Sequence, residues 1–335
     1  MKKLKINSLF YEDFKDDILK CSLCPHKCIL YPGKVGICGV RQNIKGEMYS
    51  LNYMDTTSIA LDPIEKKPLY HFHPGESILS LGTWGCNLKC PSCQNFEIAH
   101  LKPAYMKRLN TNAIPALMKN YNVQGVAYTY SEPIVWYEFV LDASREVKYA
   151  DPNNYNVLVT NGFINEKPLK LMLQYIDAMN IDLKVFNDKK YKTILKGALQ
   201  PVKYTIKIAH EEGVHVEVTT LIVPTVNDDL NELEREFEWL SSISKDIPIH
   251  LTRYYPAYNF DEPATDINFL EKVYSLGKKY LNYVYLGNIP SSNYENTYCP
   301  DCGVLLIKRN GYNIKIENLN ENGECINCGR KIVIM

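Results

Sequence analysis

The chain has 335 residues, 46% of them hydrophobic, with 38 basic and 38 acidic side chains and a formal net charge of zero. This length accommodates one barrel-sized domain with small appendages. The balanced charge argues against a nucleic-acid surface, which is normally basic. No run of about 18 apolar residues occurs, and none follows the basic start, so we expect a cytoplasmic protein that has neither a membrane span nor a signal peptide.

The eleven cysteines fall into three groups along the chain. They are Cys21, Cys24, Cys28 and Cys38; Cys86, Cys90 and Cys93; and Cys299, Cys302, Cys325 and Cys328. Groups with such short spacings are typical of metal sites in a reducing compartment, whereas a disulfide framework would be more scattered. We therefore predict three metal centres.

Residues 1–75 are predicted to form a cysteine-rich extension with few strand signals. Its cysteines have the spacing C-x2-C-x3-C-x9-C, which supplies four ligands. Both a closed structural zinc site and an auxiliary cubane cluster fit this set, and the spacing does not separate them. His26 lies inside the loop and is an alternative ligand.

Residues 76–290 read as repeated strand–helix units, which predict a parallel α/β sheet. The strand candidates are residues 78–81, 126–130, 157–160, 178–183, 214–219 and 247–251. The helix candidates are residues 136–148, 168–175 and 230–240. Six such units fit an open barrel or a doubly wound sheet, and both place functional side chains at the carboxyl ends of the strands.

The cysteine loop after the first of these strands is the most informative motif. Cys86, Cys90 and Cys93 have the spacing C-x3-C-x2-C, and no fourth cysteine or histidine is close by. Since a structural zinc ion and an ordinary cubane cluster each take four protein ligands, three thiolates predict a [4Fe-4S] cluster with one open iron. The alternatives are a zinc site completed by a distant histidine and three unrelated buried thiols.

Residues 291–335 are predicted to form a zinc-ribbon-like module. Two knuckles, Cys299-Pro-Asp-Cys302-Gly and Cys325-Ile-Asn-Cys328-Gly, are separated by 22 residues. Asn310-Gly311 between them suits a type I′ turn and predicts a hairpin. Zinc is the expected metal, and a rubredoxin-like iron is the alternative.

Five segments occur in a characteristic order: the Cys86–Cys93 loop, Tyr130-Ser-Glu-Pro133, Val159-Thr-Asn-Gly162, Ile181-Asp-Leu-Lys184 and Leu221-Ile-Val-Pro224. Together they resemble the radical S-adenosylmethionine (radical SAM) superfamily, and within it the relatives of the pyruvate formate-lyase activating enzyme. The terminal blocks at residues 21–41 and 287–300 resemble the AmmeMemoRadiSam family. This resemblance implies a partial (β/α)6-type barrel whose loop cysteines hold a [4Fe-4S] cluster that binds S-adenosylmethionine.

The resemblance also implies cofactor-binding side chains at the ends of the predicted strands: Ser131, Glu132, Thr160, Asn161, Asp182 and Lys184. Ser131 and Glu132 would receive the methionine ammonium. Thr160 and Asn161 would contact the ribose, and Asp182 and Lys184 would bind cofactor or position substrate. Two positions depart from the family pattern. Tyr130-Ser131 replaces a Gly-Gly pair, and Ser92 replaces the aromatic residue that packs on adenine, with Phe96 as the nearest aromatic alternative.

The implied activity is that of an oxidoreductase-type radical enzyme. It would cleave S-adenosylmethionine reductively to a 5′-deoxyadenosyl radical, which abstracts hydrogen from a protein or peptide. The implied partners are a low-potential electron donor such as ferredoxin or flavodoxin, together with Memo-like and Ammecr-like proteins. The alternatives are a small-molecule or nucleic-acid substrate, or a non-catalytic iron–sulfur and zinc protein, although such a scaffold would not need the polar strand-end set.

Overall fold

The computed structural model describes residues 6–290 and 293–335. The predicted start of the third segment, residues 291 and 292, lies outside the described residues, as do residues 1–5 of the extension. The N-terminal strands are β1 (Ile6–Asn7), β2 (Tyr11–Lys15), β3 (Ile18–Cys21), β4 (Ile29–Leu30), β5 (Arg41–Ile44), β6 (Glu47–Ser50) and β7 (Asp55–Thr56). They form the small sheets β2-β3-β4 and β1-β6-β5, while β7 pairs elsewhere. Lys45 and Gly46 both have positive φ, as the type I′ turn between β5 and β6 requires.

The central strands are β8 (Ser58–Pro63), β9 (Ser77–Gly82), β10 (Lys107–Arg108), β11 (Gly125–Thr129), β12 (Tyr155–Thr160), β13 (Ala178–Asp182), β14 (His215–Ile222), β15 (Ile249–Arg253) and β16 (Val284–Gly287). The helices are α1 (Phe96–Ala99), α2 (Ile114–Tyr121), α3 (Tyr137–Ala150), α4 (Glu166–Leu173), α5 (Asp188–Thr193), α6 (Leu199–Glu211), α7 (Leu230–Ile243) and α8 (Ile267–Gly277). Short β10 pairs only with β7.

The central sheet has the order β8-β9-β11-β12-β13-β14-β15-β16, in which β8 is antiparallel and the other seven strands are parallel. Consecutive strands are neighbours throughout, without the reversal that defines a doubly wound sheet. The sheet is therefore a partial barrel that ends at β8 and β16. The α/β class is confirmed, and the count of six strands is corrected to seven parallel strands plus one antiparallel edge strand contributed by the extension.

Burial explains why these segments form strands and helices. All five residues of β11 are buried, as expected for a parallel strand covered on both faces. In α3, Val140, Ser144 and Val147 recur at helical spacing and are buried, while Tyr149 is exposed. The resulting apolar core lies between the sheet and its helices. Within the described residues, no helix is long and apolar enough to cross a membrane.

The C-terminal module contains β17 (Thr297–Tyr298), β18 (Leu305–Asn310) and β19 (Asn313–Ile316) in one antiparallel sheet. The hairpin is present, but its two-residue turn is Gly311-Tyr312, one residue later than predicted, since Asn310 pairs with Asn313. Glycine at the first central position is the preference of type II′ turns. The module packs on the segment between β8 and β9 through Arg309, whose Nη2 donates to the carbonyl of Tyr70 at 2.7 Å.

Candidate active site and metal centres

The carboxyl ends of the parallel strands surround a cavity of about 790 Å³. The three cysteines of the loop after β9 form part of its wall. The following strand ends contribute Ser131, Glu132, Asn161, Asp182 and Lys184 to the same wall. Thr160 is buried behind this surface and donates a hydrogen bond to Glu132. The structure thus brings the predicted cofactor-binding set together at one edge of the sheet.

Backbone contacts fix the conformation of the cysteine loop. The N–H of Lys89 donates to the carbonyl of Leu195 at 2.9 Å, which attaches the loop to the segment after α5. The N–H of Leu88 donates to Sγ of Cys86 at 3.4 Å. Hydrogen bonds to ligand sulfurs are among the features by which proteins adjust the reduction potential of iron–sulfur clusters.

The buried thiols of the loop fit coordination to the iron ions of a cluster. Burial raises the pKa of Cys86 well above its usual range, and the nearby Glu132 and Cys90 add to this effect. Burial likewise raises the pKa of Cys90 to about 11. Thiolates in such surroundings need a compensating cation, which the irons of a cluster provide. Since the cysteine loop supplies three thiolates, the residues fit a [4Fe-4S] cluster with one iron open to a ligand in the cavity.

Glu132 is the centre of a buried hydrogen-bond network. Its Oε1 accepts from Thr160 Oγ1 at 2.6 Å and from the N–H of Ile134 at 2.9 Å, and its Oε2 accepts from the N–H of Asn161 at 2.8 Å. Burial raises the pKa of Glu132 to about 7 against the opposing effect of these donors. Beside it, the buried Oγ of Ser131 has no hydrogen-bond partner in the described part of the chain. The pair is suited to receive an ammonium group.

Tyr130 explains how the turn before Ser131 forms without glycine. Its φ of 71° lies in the left-handed region, which is unfavourable for a bulky residue. Its hydroxyl donates to Asp62 of β8, and Asp62 also accepts from Lys67 Nζ at 2.7 Å. Gly82 leaves room for the ring, because a Cβ there would lie 2.8 Å from it. Asp62 and Lys67 were not predicted, since no local sequence pattern links them to the turn.

Asp182 and Lys184 pair with each other at the end of β13. Lys184 Nζ donates to Asp182 Oδ2 at 2.9 Å, and Leu183 between them points into the core. Burial opposes the charge on Lys184, but Asp182 and Cys90 outweigh it and hold its pKa well above the usual value. A permanent cation therefore lies close to the cysteine loop.

Phe96, the nearest aromatic alternative for the adenine contact, is not among the residues that line the cavity. Its ring stacks on Tyr258 with the centroids 4.7 Å apart, whereas Ser92 lines the cavity.

His250 also lines the cavity, and its Nε2 lies 2.7 Å from Oε2 of the fully buried Glu217. Glu217 was not predicted, although a carboxylate inside a predicted strand indicates a buried charge that needs a partner.

The N-terminal extension and the C-terminal module also contribute to the wall of this cavity. Glu65, Lys66 and Lys67 follow β8, while Glu295 and Tyr312 belong to the C-terminal module, and all five line the cavity. These residues were missed as well. The consecutive charges Glu65-Lys66-Lys67 were the available signal, but such a run is usually a solvated surface.

The C-terminal cysteines fit a single metal ion. Sγ of Cys299 lies 3.4 Å from that of Cys328, and Sγ of Cys302 lies 3.6 Å from that of Cys325. All four sulfurs lie within 4.8 Å of one another. Four thiolates about a tetrahedral zinc ion, with Zn–S bonds of about 2.3 Å, have similar separations.

The N-terminal cysteines line a second, small cavity. All four contribute to its wall, together with Leu23 and Arg41. His26 also lines it, but its Nε2 is hydrogen-bonded to the carbonyl of Asn87 at 2.7 Å. This contact joins the N-terminal site to the loop of Cys86.

Comparisons with known proteins agree with this arrangement. Residues 81–240 match the sequence model of the radical SAM superfamily. An uncharacterized protein of Methanocaldococcus jannaschii is 42% identical over 98% of this chain and 99% of its own length. A protein of the same organism named "putative glycyl-radical enzyme activating enzyme" is 28% identical over 62% of this chain and 79% of its own length.

A radical SAM methyltransferase from Sphaerobacter thermophilus has the same fold, with a TM-score of 0.51, 14% identity and coverage of 70% of this chain and 71% of that one. The superfamily match begins at the end of β9 and includes the whole cysteine loop. Membership implies a [4Fe-4S] cluster and S-adenosylmethionine, and it supports cleavage of this cofactor to a radical. The chain is therefore an enzyme and belongs to the radical SAM superfamily.

Proposed function

We propose that the chain cleaves S-adenosylmethionine at a [4Fe-4S] cluster held by Cys86, Cys90 and Cys93, and that it activates a protein or peptide by hydrogen abstraction. When the cofactors are bound, one electron from the cluster splits a carbon–sulfur bond to give methionine and a 5′-deoxyadenosyl radical. The observation that carries this proposal is the shared cavity, which the three cysteines line together with Ser131 and Glu132.

The strand-end residues have distinct proposed roles. Ser131 and Glu132 receive the methionine ammonium, since one offers a free hydroxyl and the other a buried carboxylate. Thr160 Oγ1 is already engaged by Glu132 and by the N–H of Gly162, so we assign it to positioning Glu132. Asn161 also positions Glu132, since its backbone N–H donates to Oε2 of that residue, and we propose that Asn161 lies beside the ribose of the cofactor.

Asp182 and Lys184 line the same cavity as the cysteine loop. Lys184 acts on Cys90 more strongly than its partner Asp182 does, and we propose that its positive charge favours electron entry into an anionic cluster. We propose that Asp182 also contacts the bound cofactor or orients the substrate hydrogen.

A protein or peptide substrate is supported by the composition of the cavity wall. Glu65 and Lys67 of the extension, Glu295 and Tyr312 of the C-terminal module and the strand ends of the barrel all line it, so an entering chain would meet three parts of the protein. The relative named as an activating enzyme supports the same class. We further propose a cytosolic location, a low-potential electron donor, zinc at the C-terminal cysteines, and Memo-like and Ammecr-like partners.

The test is performed without oxygen. The reconstituted protein is reduced with dithionite, given S-adenosylmethionine and assayed for 5′-deoxyadenosine and methionine. We expect both products from the unmodified protein and neither from Cys90→Ala. A full, reducible cluster that neither binds S-adenosylmethionine nor yields product would overturn the proposal.

The substrate class is tested by adding source-cell extract, separated by ultrafiltration into macromolecular and small-molecule fractions. We expect the macromolecular fraction to accelerate 5′-deoxyadenosine formation, and protease to abolish the effect. Nuclease-sensitive acceleration would indicate a nucleic acid, and acceleration by the filtrate would indicate a small molecule. Either result would overturn the protein assignment, and the Cys90→Ala protein controls for background.

A further inference from the structure

The four N-terminal cysteines form a closed ligand set around their own cavity. Cys21 ends β3 and its N–H donates to the carbonyl of Cys28 at 2.9 Å, so the loop between them folds back on itself. A Cβ at Gly36 would lie 3.7 Å from Sγ of Cys28 and 3.8 Å from Sγ of Cys38, which places the fourth cysteine against this loop. The set is thus complete without histidine.

The spacing of the sulfurs distinguishes a single ion from a cluster. Among the described residues, the C-terminal cysteines are the one group of three or more candidate ligands whose atoms all lie within 4.8 Å of one another. Neither the N-terminal set nor the Cys86–Cys93 loop closes this tightly. In a cubane cluster each thiolate bonds a different iron, so the sulfur ligands lie farther apart than those around a single metal ion. We propose that Cys21, Cys24, Cys28 and Cys38 bind a second [4Fe-4S] cluster.

A buried guanidinium, paired with one buried carboxylate, forms part of the wall of this cavity. Arg41 lines it, is 1% exposed, and pairs with Glu138 at 2.5 Å. Its Nε has no hydrogen-bond partner in the described part of the chain. A cubane with four thiolates carries a net negative charge, so an adjacent guanidinium stabilises it and assists its reduction.

The location of the second cluster indicates electron relay. Its cavity shares no lining residue with the large cavity, so it cannot anchor the substrate. His26 instead contacts Asn87, the neighbour of Cys86, at 2.7 Å. A reduced ferredoxin- or flavodoxin-type donor is oxidised by one electron, the N-terminal cluster passes this electron on, and the cluster at Cys86 is reduced. This relay role, unlike the metal assignment, rests on the proposed function.

Metal content tests the assignment. After anaerobic reconstitution we expect about eight iron atoms and one zinc per chain, and about four iron atoms in Cys28→Ala/Cys38→Ala and in Cys90→Ala/Cys93→Ala alike. Four iron atoms and two zinc ions in the unmodified protein would overturn the proposal. In the unmodified protein, S-adenosylmethionine should shift only about half of the reduced-cluster electron paramagnetic resonance (EPR) signal, because one cluster is closed by four cysteines. Because this EPR measurement uses the unmodified protein, its outcome does not depend on whether a variant folds.

The relay is tested by changing the reductant. With dithionite, Cys28→Ala/Cys38→Ala should retain 5′-deoxyadenosine formation, whereas with a reduced ferredoxin or flavodoxin its rate should fall by about tenfold or more. Equal losses with both reductants, or none with either, would overturn the relay. Failure of the proposed function is distinguishable, because the unmodified protein would then form no product even with dithionite while its iron content still reports the second cluster.

Discussion

The side-chain amide nitrogen of Asn161 lies 3.7 Å from the sulfur of Cys86. The same side chain donates to Asn87 Oδ1 at 2.9 Å, and the backbone N–H of Asn161 donates to Glu132. One residue therefore contacts a proposed cluster ligand and fixes the carboxylate proposed to receive the cofactor ammonium.

This contact predicts the effect of Asn161→Ala on the cluster at Cys86. Hydrogen bonds to ligand sulfurs stabilise the reduced state, so their loss lowers the reduction potential. We expect a more negative midpoint for the EPR signal that responds to S-adenosylmethionine, measured by redox titration. Asn282→Ala is the matched control, since this amide bonds Asp246 outside the cavity. Equal midpoints in all three proteins would contradict the prediction.

Glu132 predicts a pH dependence of cofactor binding. Burial raises its pKa to about 7, so below this value the free protein holds a neutral carboxyl group, which the ammonium must ionise. Affinity for S-adenosylmethionine should therefore rise with pH by up to about tenfold per unit below pH 7 and level off above it, until the α-ammonium group of the cofactor itself deprotonates. Equilibrium dialysis across this range measures it.

In Glu132→Gln the affinity should be low and independent of pH. Glu236→Gln is a matched control, because burial also raises the pKa of Glu236, to about 8, but it bonds Thr220 and does not line the cavity. A pH step that persists in Glu132→Gln would assign the titration to another group.

Sequence patterns predicted the residues that line the site better than the contacts that hold these residues in place. Alternation and strand order placed Glu132 and Asp182 at one edge of a parallel sheet, where the structure has them. The contact of Tyr130 with Asp62 was not predictable, because it joins segments far apart in the chain and depends on a left-handed backbone. Strand β16 was not predicted, because its four residues are too few to show a recognisable strand pattern.

Gly82→Ala tests the close packing at Tyr130. The added methyl would lie 2.8 Å from the ring and 3.3 Å from the carbonyl of Thr129, so the turn must shift. We expect a loss of about 1–3 kcal/mol in unfolding free energy and weaker cofactor binding. Gly277→Ala is the control, since its methyl would meet Val284 at 3.4 Å. Denaturant unfolding and dialysis give both quantities.

Adding Tyr130→Gly to Gly82→Ala removes the ring and tolerates the positive φ. The double variant should therefore be more stable than the sum of the two single changes implies, since the residues are in contact. Strict additivity would show that the ring and the glycine are energetically independent.

Cys302→Ser separates the C-terminal metal from the active site. The change removes one of four thiolates, so zinc content should fall by about one ion per chain while iron content stays constant. Because Glu295 and Tyr312 line the large cavity, we expect loss of order in this module to reduce substrate-stimulated turnover more than basal cleavage of S-adenosylmethionine. Elemental analysis and the two rates measure these effects.

Lys315→Ala is the control in the same module, because this exposed side chain pairs with Glu317 and does not line the large cavity. It should retain zinc and both rates. If Cys302→Ser instead lost iron in place of zinc, the site would be rubredoxin-like, since a single iron accepts the same four thiolates. If zinc were lost and substrate stimulation stayed unchanged, the module would stabilise the fold without contacting the substrate, and the cavity wall formed by Glu295 and Tyr312 would have no part in recognition.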